Sequence, residues 1–376
     1  MKLEKYDSKP TRHGFGEGLV ALGEKDERVV VLGGDITGSV MTSMFKDRFP
    51  DRFFSIGIAE QNATTIATGL AASGKIPFFA SYGAFCALRN ADQLRISVCY
   101  NESNVKIGGG HSGISVGPDG ATHQILEDMA FLRALPNMTL VVPCDFVEAR
   151  KATIATGEME GPAYIRFARS ATPVFTKEDT PFELGRAEVF HEGTDVAVVA
   201  CGPLVYEALV AAEELAAEGI SVRVINLHTI KPFDYKTITA AARECGAIVT
   251  AEEHQILGGM GSLVAQAVCK NHPVPVEHVG VTDTFGGSGE PDHLMDVFGL
   301  TSRFIVAQIR KVLARKAGTY NEVEPITTVG RKGEAPANYP KPLDLFPFEK
   351  IEEVDALYPP ETVPAEELVE KMRKDS

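Results

Sequence analysis

The chain alternates short apolar runs with longer stretches of helical spacing. Near its start Phe15, Leu19 and Leu22 recur at intervals of four and three, which predicts a helix over 11–25 with Thr11 as its cap. Arg28-Val-Val-Val-Leu-Gly-Gly-Asp35 follows as a buried strand ending in a glycine turn. Further strands are predicted over 53–58, 76–80, 139–143 and 163–167, and helices over 60–73, 84–100, 122–135 and 146–156. Such alternation builds a mostly parallel sheet covered on both faces. Residues 171–192, where Thr, Pro, Lys, Glu and Gly cluster, read as a boundary. Beyond it, strands at 196–200 and 222–226 flank a helix at 206–218 in a βαβ unit, with further strands at 246–252 and 274–281. The expected fold class is α/β, in two domains over 1–180 and 181–315, with an extension over 316–376. In that extension prolines recur, charges mix, and only 363–372 has helical spacing. It reads as an extended arm on a partner or as a partly disordered tail with a short helix.

Composition narrows the class. A length of 376 residues suits two cores plus an extension, and 44% hydrophobic with 23% charged residues places the chain among globular proteins. A net charge of -14 argues against a nucleic-acid surface while leaving room for a local basic pocket. The six cysteines have no close paired spacing and read as buried thiols. The first ten residues lack the apolar core of a signal peptide, and no stretch approaches the roughly 20 apolar residues that span a membrane. The expectation is a cytoplasmic protein without membrane or nucleic-acid partners.

Candidate chemistry gathers between residues 53 and 124. Phe53-Phe-Ser-Ile-Gly-Ile-Ala-Glu60 is an apolar run ending on a carboxylate. Glu60 is either an ordinary acid at a helix N-terminus or a partly desolvated group that shares a proton with a heteroaromatic nitrogen. Phe79, Tyr82 and Phe85 offer either core packing or a face on which a flat ring can stack. Gly108-Gly-Gly-His-Ser-Gly-Ile-Ser-Val-Gly-Pro-Asp-Gly-Ala-Thr-His-Gln124 reads as a glycine-rich loop beginning at Lys106. Its His111, Asp119 and His123 suit recognition of several hydroxyls with proton transfer near neutral pH, or else a solvated surface loop. The cluster has no cysteine ligands and no common metal spacing, so no metal site is expected in this chain. Asp35 ends its strand where open α/β sheets place ligands, and equally suits a helix cap or turn.

Ile58-Ala-Glu-Gln-Asn62, Val116-Gly-Pro-Asp-Gly-Ala-Thr-His-Gln124 and Leu135-Pro-Asn-Met-Thr-Leu-Val-Val-Pro-Cys-Asp145 together resemble the C-terminal half of transketolase, and most of all the separate C-terminal subunit of a split transketolase. The resemblance covers about residues 11–313. It implies two three-layer α/β/α domains, a pyrimidine domain of the thiamine-diphosphate-binding fold followed by the transketolase C-terminal domain. By that resemblance Glu60 matches the glutamate that hydrogen-bonds the aminopyrimidine N1', promoting the tautomer that takes the proton from thiazolium C2. Phe85 matches the ring stacked on the pyrimidine, Tyr82 its neighbour in the wall, and Asp35 and Ile36 the segment beside the thiazolium. Leu88 falls where transketolases often carry another aromatic, so that wall is altered. His111 and His123 match the histidines at the donor C1 hydroxyl and the reacting oxygens, and Asp119 the acid that reads the neighbouring hydroxyl. Arg12, Ser39 and Arg169 match the groups that hold a sugar phosphate; arginine's donor fork suits that anion.

The same resemblance implies an absent half. The magnesium-binding Gly-Asp-Gly motif with its distant Asn has no counterpart here, so thiamine diphosphate and Mg2+ would be held mainly by a separate N-terminal subunit in an α2β2 complex. The activity implied is transfer of a two-carbon ketol unit between sugar phosphates. A 1-deoxyxylulose-5-phosphate synthase-like enzyme and the beta subunit of a 2-oxo acid dehydrogenase are alternatives. The latter has no use for phosphate-gripping arginines. An assembly subunit without catalysis is a third reading, against which the retained Glu60 and His123 argue. The turn Gly258-Gly-Met-Gly261 after Glu252, Glu253 and His254 invites a phosphate-loop reading, but a glycine turn at a helix start can be purely structural. The loop 283–290 reads as an interface contact.

Overall fold

A computed structural model describes residues 6–324 and residue 326. The helix expected over 363–372 and nearly all of the extension lie outside the described residues. Two sheets organise the rest. The first is built from β2 (Val29–Gly33), β3 (Phe53–Ser55), β4 (Ile76–Tyr82), β5 (Lys106–Gly110), β6 (Thr139–Val141) and β7 (Ala163–Arg166), preceded by a short β1 (Ser8–Pro10) that pairs with β8 (Ala171–Pro173). The second is built from β9 (Glu188–His191), β10 (Val196–Ala200), β11 (Val222–Asn226), β13 (Ile248–Gln255) and β14 (Val276–Val281). Between β11 and β13 in sequence, β12 (Thr229–Lys231) crosses back to form one edge of the first sheet.

The first sheet runs β12-β6-β7-β5-β4-β2-β3, parallel at every pairing except β12–β6. The second runs β14-β13-β10-β11-β9, parallel except for β9. Unbroken apolar runs explain this, because strands such as Val29–Gly33 and Val196–Ala200 are buried at every position and need cover on both faces. Helices Thr11–Lys25 and Phe146–Glu158 pack together on one face of the first sheet, where Phe15, Leu19 and Leu22 meet Phe78, Ile165 and Phe167. A larger core runs from the other face, through Phe79, Ile107 and Tyr164, to Val199, Ile225 and Ile248 of the second sheet.

Several expectations change. Thr11 does not cap its helix: Pro10 holds that position, and the Thr11 hydroxyl instead bridges to the backbone of Ala168, donating to its carbonyl and accepting from its N–H. The strand expected over 53–58 stops at Ser55, because Gly57 takes a positive φ of 74° before the helix Glu60–Ala72. The helix over 84–100 is wound partly with wider π turns, at Ala84–Arg89 and Leu94–Tyr100. Lys106 to Gly110 is a fully buried strand, not the start of a loop. Its glycines are required by packing: a Cβ on Gly109 would sit 1.9 Å from the Tyr164 hydroxyl, and one on Gly108 2.7 Å from the Phe15 ring. Residues 122–135 are helical only over Asp128–Ala134. Glu253 and His254 lie inside β13, not after it. Helices Pro291–Val297 and Ser302–Lys316, not anticipated from the sequence, complete the second domain.

Candidate active site at the carboxyl edge of the first sheet

Parallel strands deliver their following residues to one edge, and that edge collects the candidate groups. β2 leads to Asp35, Ile36 and Ser39, β3 to Glu60, β4 to Tyr82 and Phe85, β5 to His111, and β7 to Arg169. Arg12 comes from the first turn of Thr11–Lys25. Tyr82 is the hub: its ring centre lies 4.1 Å from that of His111, 5.5 Å from His123 and 6.0 Å from Phe85. Phe85 and His123 are 5.3 Å apart, edge to face.

Glu60 opens its helix as a side chain only 1% exposed. Its Oε2 accepts a hydrogen bond from Arg89 Nη1 at 2.7 Å, while Oε1 is buried without a partner. The Arg89 guanidinium carbon lies 4.4 Å from the centre of the Phe85 ring. Carboxylate, arginine and ring therefore form one connected group. Leu88, one position before Arg89, is exposed.

His111 is buried, adopts a positive φ of 54°, and keeps a partnerless Nδ1. Burial, then the charges of Arg12 and Arg169 and the neighbouring His123, push its pKa down to about 3. It is thus a neutral imidazole near pH 7, with one nitrogen able to donate and one to accept. His123 Nδ1 shares a 2.8 Å hydrogen bond with the Thr122 hydroxyl.

Two arginines share the same neighbourhood. Arg12 Nη1 donates to the Ser39 carbonyl at 3.0 Å, and burial followed by the charge of Arg169 lowers its pKa. Arg169 Nη1 donates to the Val116 carbonyl at 3.0 Å and to Asp119 Oδ1 at 3.2 Å. Arg169 lies near enough to disfavour the charge on Arg12, whose Nε is buried and unpartnered, and the two arginines make a local anion-binding field in an acidic chain. Ser39 meets Arg12 through its backbone rather than its hydroxyl. Ile36 packs with Tyr82 against the same core, whereas Asp35 stands exposed at a φ of 69° and is not drawn into the cluster. Among the described residues no group of three His, Cys, Asp or Glu side chains could hold a metal ion.

The second domain supports the loop that carries the histidines. Glu253 accepts from the Ser115 N–H, and a Cβ on Gly113, whose φ is 94°, would come 2.3 Å from the Glu253 carboxyl carbon. Arg166 pairs with Asp128 at 3.0 Å and donates to the carbonyls of Ile125 and Glu253. Gln124 donates to Ile114 and to Gly287 of the loop 283–290, so that loop makes a contact within the chain. The glycine turn after β13 already holds a carboxylate, because Glu252 accepts from the N–H groups of Met260 and Gly261 at 2.7 and 2.8 Å. Sequence reasoning missed Arg89, Asp128 and Arg166, and it weighed Glu253 only as part of the glycine-turn group, not as a support of the histidine loop. Arg89 had one usable signal, its place four residues after Phe85 on a predicted helix; Asp128 and Arg166 belong to no motif.

Fold and edge define a class: α/β chains in which a seven-stranded, mostly parallel sheet is followed by a smaller, mostly parallel five-stranded one. Residues 7–174 match the transketolase pyrimidine-binding domain and residues 185–305 the transketolase C-terminal domain. The chain is 40% identical over 316 residues to the 6-deoxy-6-sulfo-D-fructose transketolase subunit of Clostridium sp. (strain MSTE9), covering 84% of this chain and 97% of that one. It is 38% identical over 290 residues to an apulose-4-phosphate transketolase subunit of Phocaeicola vulgatus (strain ATCC 8482), covering 77% and 93%. A solved split-gene transketolase, an inactive beta4 tetramer, superposes with a TM-score of 0.77 at 45% identity, covering 82% of this chain and 99% of that one. The chain belongs to the transketolase family, among its split-subunit members. That family depends on thiamine diphosphate. No helix among the described residues is long and apolar enough to cross a membrane.

Proposed function

We propose that this chain is the C-terminal subunit of a thiamine-diphosphate-dependent enzyme that moves a two-carbon ketol unit from a ketose to an aldose, each ending in a tetrahedral oxyanion. The observation that carries the reading is the pairing of Arg12 with Arg169 beside His111, on the same edge as Glu60 and Phe85. Sugar phosphates fit this field, and so does a sulfonate, which presents a similar tetrahedral anion. The substrate names of the two relatives span both chemistries. A simple 2-oxo acid carries its carboxylate next to the reacting carbonyl, which leaves no anion at the far end of the substrate for the arginine pair to hold.

The residues present fit the cofactor. The buried, partnerless Oε1 of Glu60, next to an aromatic face, is free to share a proton with a ring nitrogen, which has no hydrogen of its own in the neutral ring. Glu60 and Phe85 would hold the aminopyrimidine, with Tyr82 and Ile36 behind; when bound, the cofactor supplies the electron sink for carbon–carbon cleavage. Diphosphate and Mg2+ would fall to a separate N-terminal subunit in an α2β2 assembly. With the cofactor bound, Glu60 would share and pass a proton at its ring nitrogen. Neutral His111 orients a donor hydroxyl by hydrogen bonding, His123 moves protons to and from the reacting oxygens, Asp119 reads the adjacent hydroxyl, and Arg12 with Arg169 fixes the far end of the sugar.

Reconstitution tests the reading. This chain is combined with a split-transketolase N-terminal subunit, thiamine diphosphate and Mg2+, and ketol transfer to ribose 5-phosphate is followed from xylulose 5-phosphate and from 6-deoxy-6-sulfofructose. Each chain alone is the control. Transfer from one of these donors, only in the mixture, is expected. A loaded complex that transfers from neither donor but decarboxylates a 2-oxo acid would overturn the proposal.

A further inference from the structure

Glu60 is gripped on one side only. Oε2 is engaged by Arg89 at 2.7 Å, and Oε1 is buried and bare. Leaving a buried carboxylate oxygen without a donor is costly unless a ligand supplies one. Arg89 is itself held, with its guanidinium 4.4 Å from the Phe85 ring centre in a cation–π contact. It closes the π-wound segment Ala84–Arg89 that also carries Phe85, so one short element sets both ring and guanidinium. Its side chain is 44% exposed at the cleft, while its partner is almost fully buried.

We propose that Arg89 is a positioning residue for the cofactor's aminopyrimidine. By engaging Oε2 and bracing Phe85, it fixes the Glu60 carboxyl group so that Oε1 is the oxygen that shares a proton with the ring nitrogen. This inference rests on the cofactor reading given above. An arginine suits the task because its planar fork donates in its own plane while its face lies on an aromatic ring. A lysine supplies the charge and one hydrogen bond but cannot stack in the same way.

The test measures cofactor affinity calorimetrically in the reconstituted complex with excess Mg2+. Two ligands are compared: thiamine diphosphate and an analogue with CH in place of the pyrimidine N1'. Arg89→Met should weaken binding of thiamine diphosphate by about tenfold to a hundredfold, the scale set by a hydrogen bond to a charged group. Arg89→Lys should fall between it and the parent. The analogue, having no nitrogen to meet Oε1, should bind parent and Arg89→Met alike. Equal weakening of both ligands overturns the proposal by making the loss merely structural, and tighter binding in Arg89→Met overturns it by making Arg89 a competitor for the ring's seat. Glu60→Gln separates the two levels of inference. If Glu60→Gln weakens thiamine diphosphate binding and Arg89→Met does not, only the role of Arg89 fails. If the parent binds both ligands equally and Glu60→Gln changes nothing, the cofactor reading fails with it. Should Arg89→Met not assemble, the same comparison of ligands in Arg89→Lys decides the question.

Discussion

Arg169 offers a measurable separation between gripping an anion and shaping a loop. Its Nη1 holds the Val116 carbonyl at 3.0 Å and Asp119 at 3.2 Å, and its side chain is 37% exposed. Hydrogen bonds to a charged group contribute about 1.5–3 kcal/mol, and partial exposure puts this one near the lower end. Arg169→Ala should therefore reduce kcat/KM for a phosphorylated donor roughly tenfold to thirtyfold, mostly through KM. For unphosphorylated xylulose the loss should stay within about threefold. Because the substitution also strips Asp119 of its partner, Asp119→Asn and the double variant are needed. The part of the loss that belongs to the Arg169–Asp119 pair shows as non-additivity and is common to both donors, while the anion part is specific to the phosphorylated one. Steady-state kinetics of the reconstituted complex with both donors gives the answer. Equal losses on phosphorylated and unphosphorylated donors would refute the assignment and leave Arg169 as a loop tether.

Other outcomes are equally direct. Glu60→Ala should abolish turnover while leaving subunit assembly intact, since the side chain bonds to half-exposed Arg89, which water can then satisfy; parental turnover in single-turnover assays would remove Glu60 from the mechanism. Asp128→Ala leaves Arg166, 3% exposed, with carbonyl acceptors alone, and should cost about 3–5 kcal/mol in urea unfolding. A cost below about 1 kcal/mol would mean that water reaches the arginine. Burial pushes the His228 pKa down to about 4, so the unfolded chain, with a histidine near 6.5, takes the proton first. This residue's contribution to stability is full above pH 6.5 and is lost as pH falls towards 4. His228→Gln should accordingly flatten the decline in urea midpoint between pH 7 and 5 relative to the parent, and an unchanged slope would count against it.

The sequence was most legible where a local pattern suffices. Apolar runs with helical spacing between them located the alternating elements, since a strand covered on both faces must be apolar throughout. Candidate positions such as Glu60, Tyr82, Phe85, His111 and Arg169 were legible too, because each stands at or just beyond a strand end, and parallel strands bring such positions to one edge. What failed were readings in which the deciding neighbour lies far along the chain. Gly108 to Gly110 looked like a loop because glycine alone signals freedom; Phe15, Tyr164 and Phe167 crossing over them make a close-packed strand instead. Thr11 looked like a cap because nothing local reveals Ala168, 157 positions away.

By itself, then, the sequence determined the α/β class and most of the alternating elements, and it singled out Glu60, His111, His123, Arg12 and Arg169 as candidates for a cleft. Only the tertiary structure decided how those residues are held. It put Arg89 between Glu60 and Phe85, set Arg12 and Arg169 near enough to lower the pKa of His111, and brought Glu253 from the second domain onto the loop backbone. The physical reason is range: secondary structure follows from spacings within a few residues, whereas desolvation and charge pairing depend on side chains that only folding brings within a few ångströms.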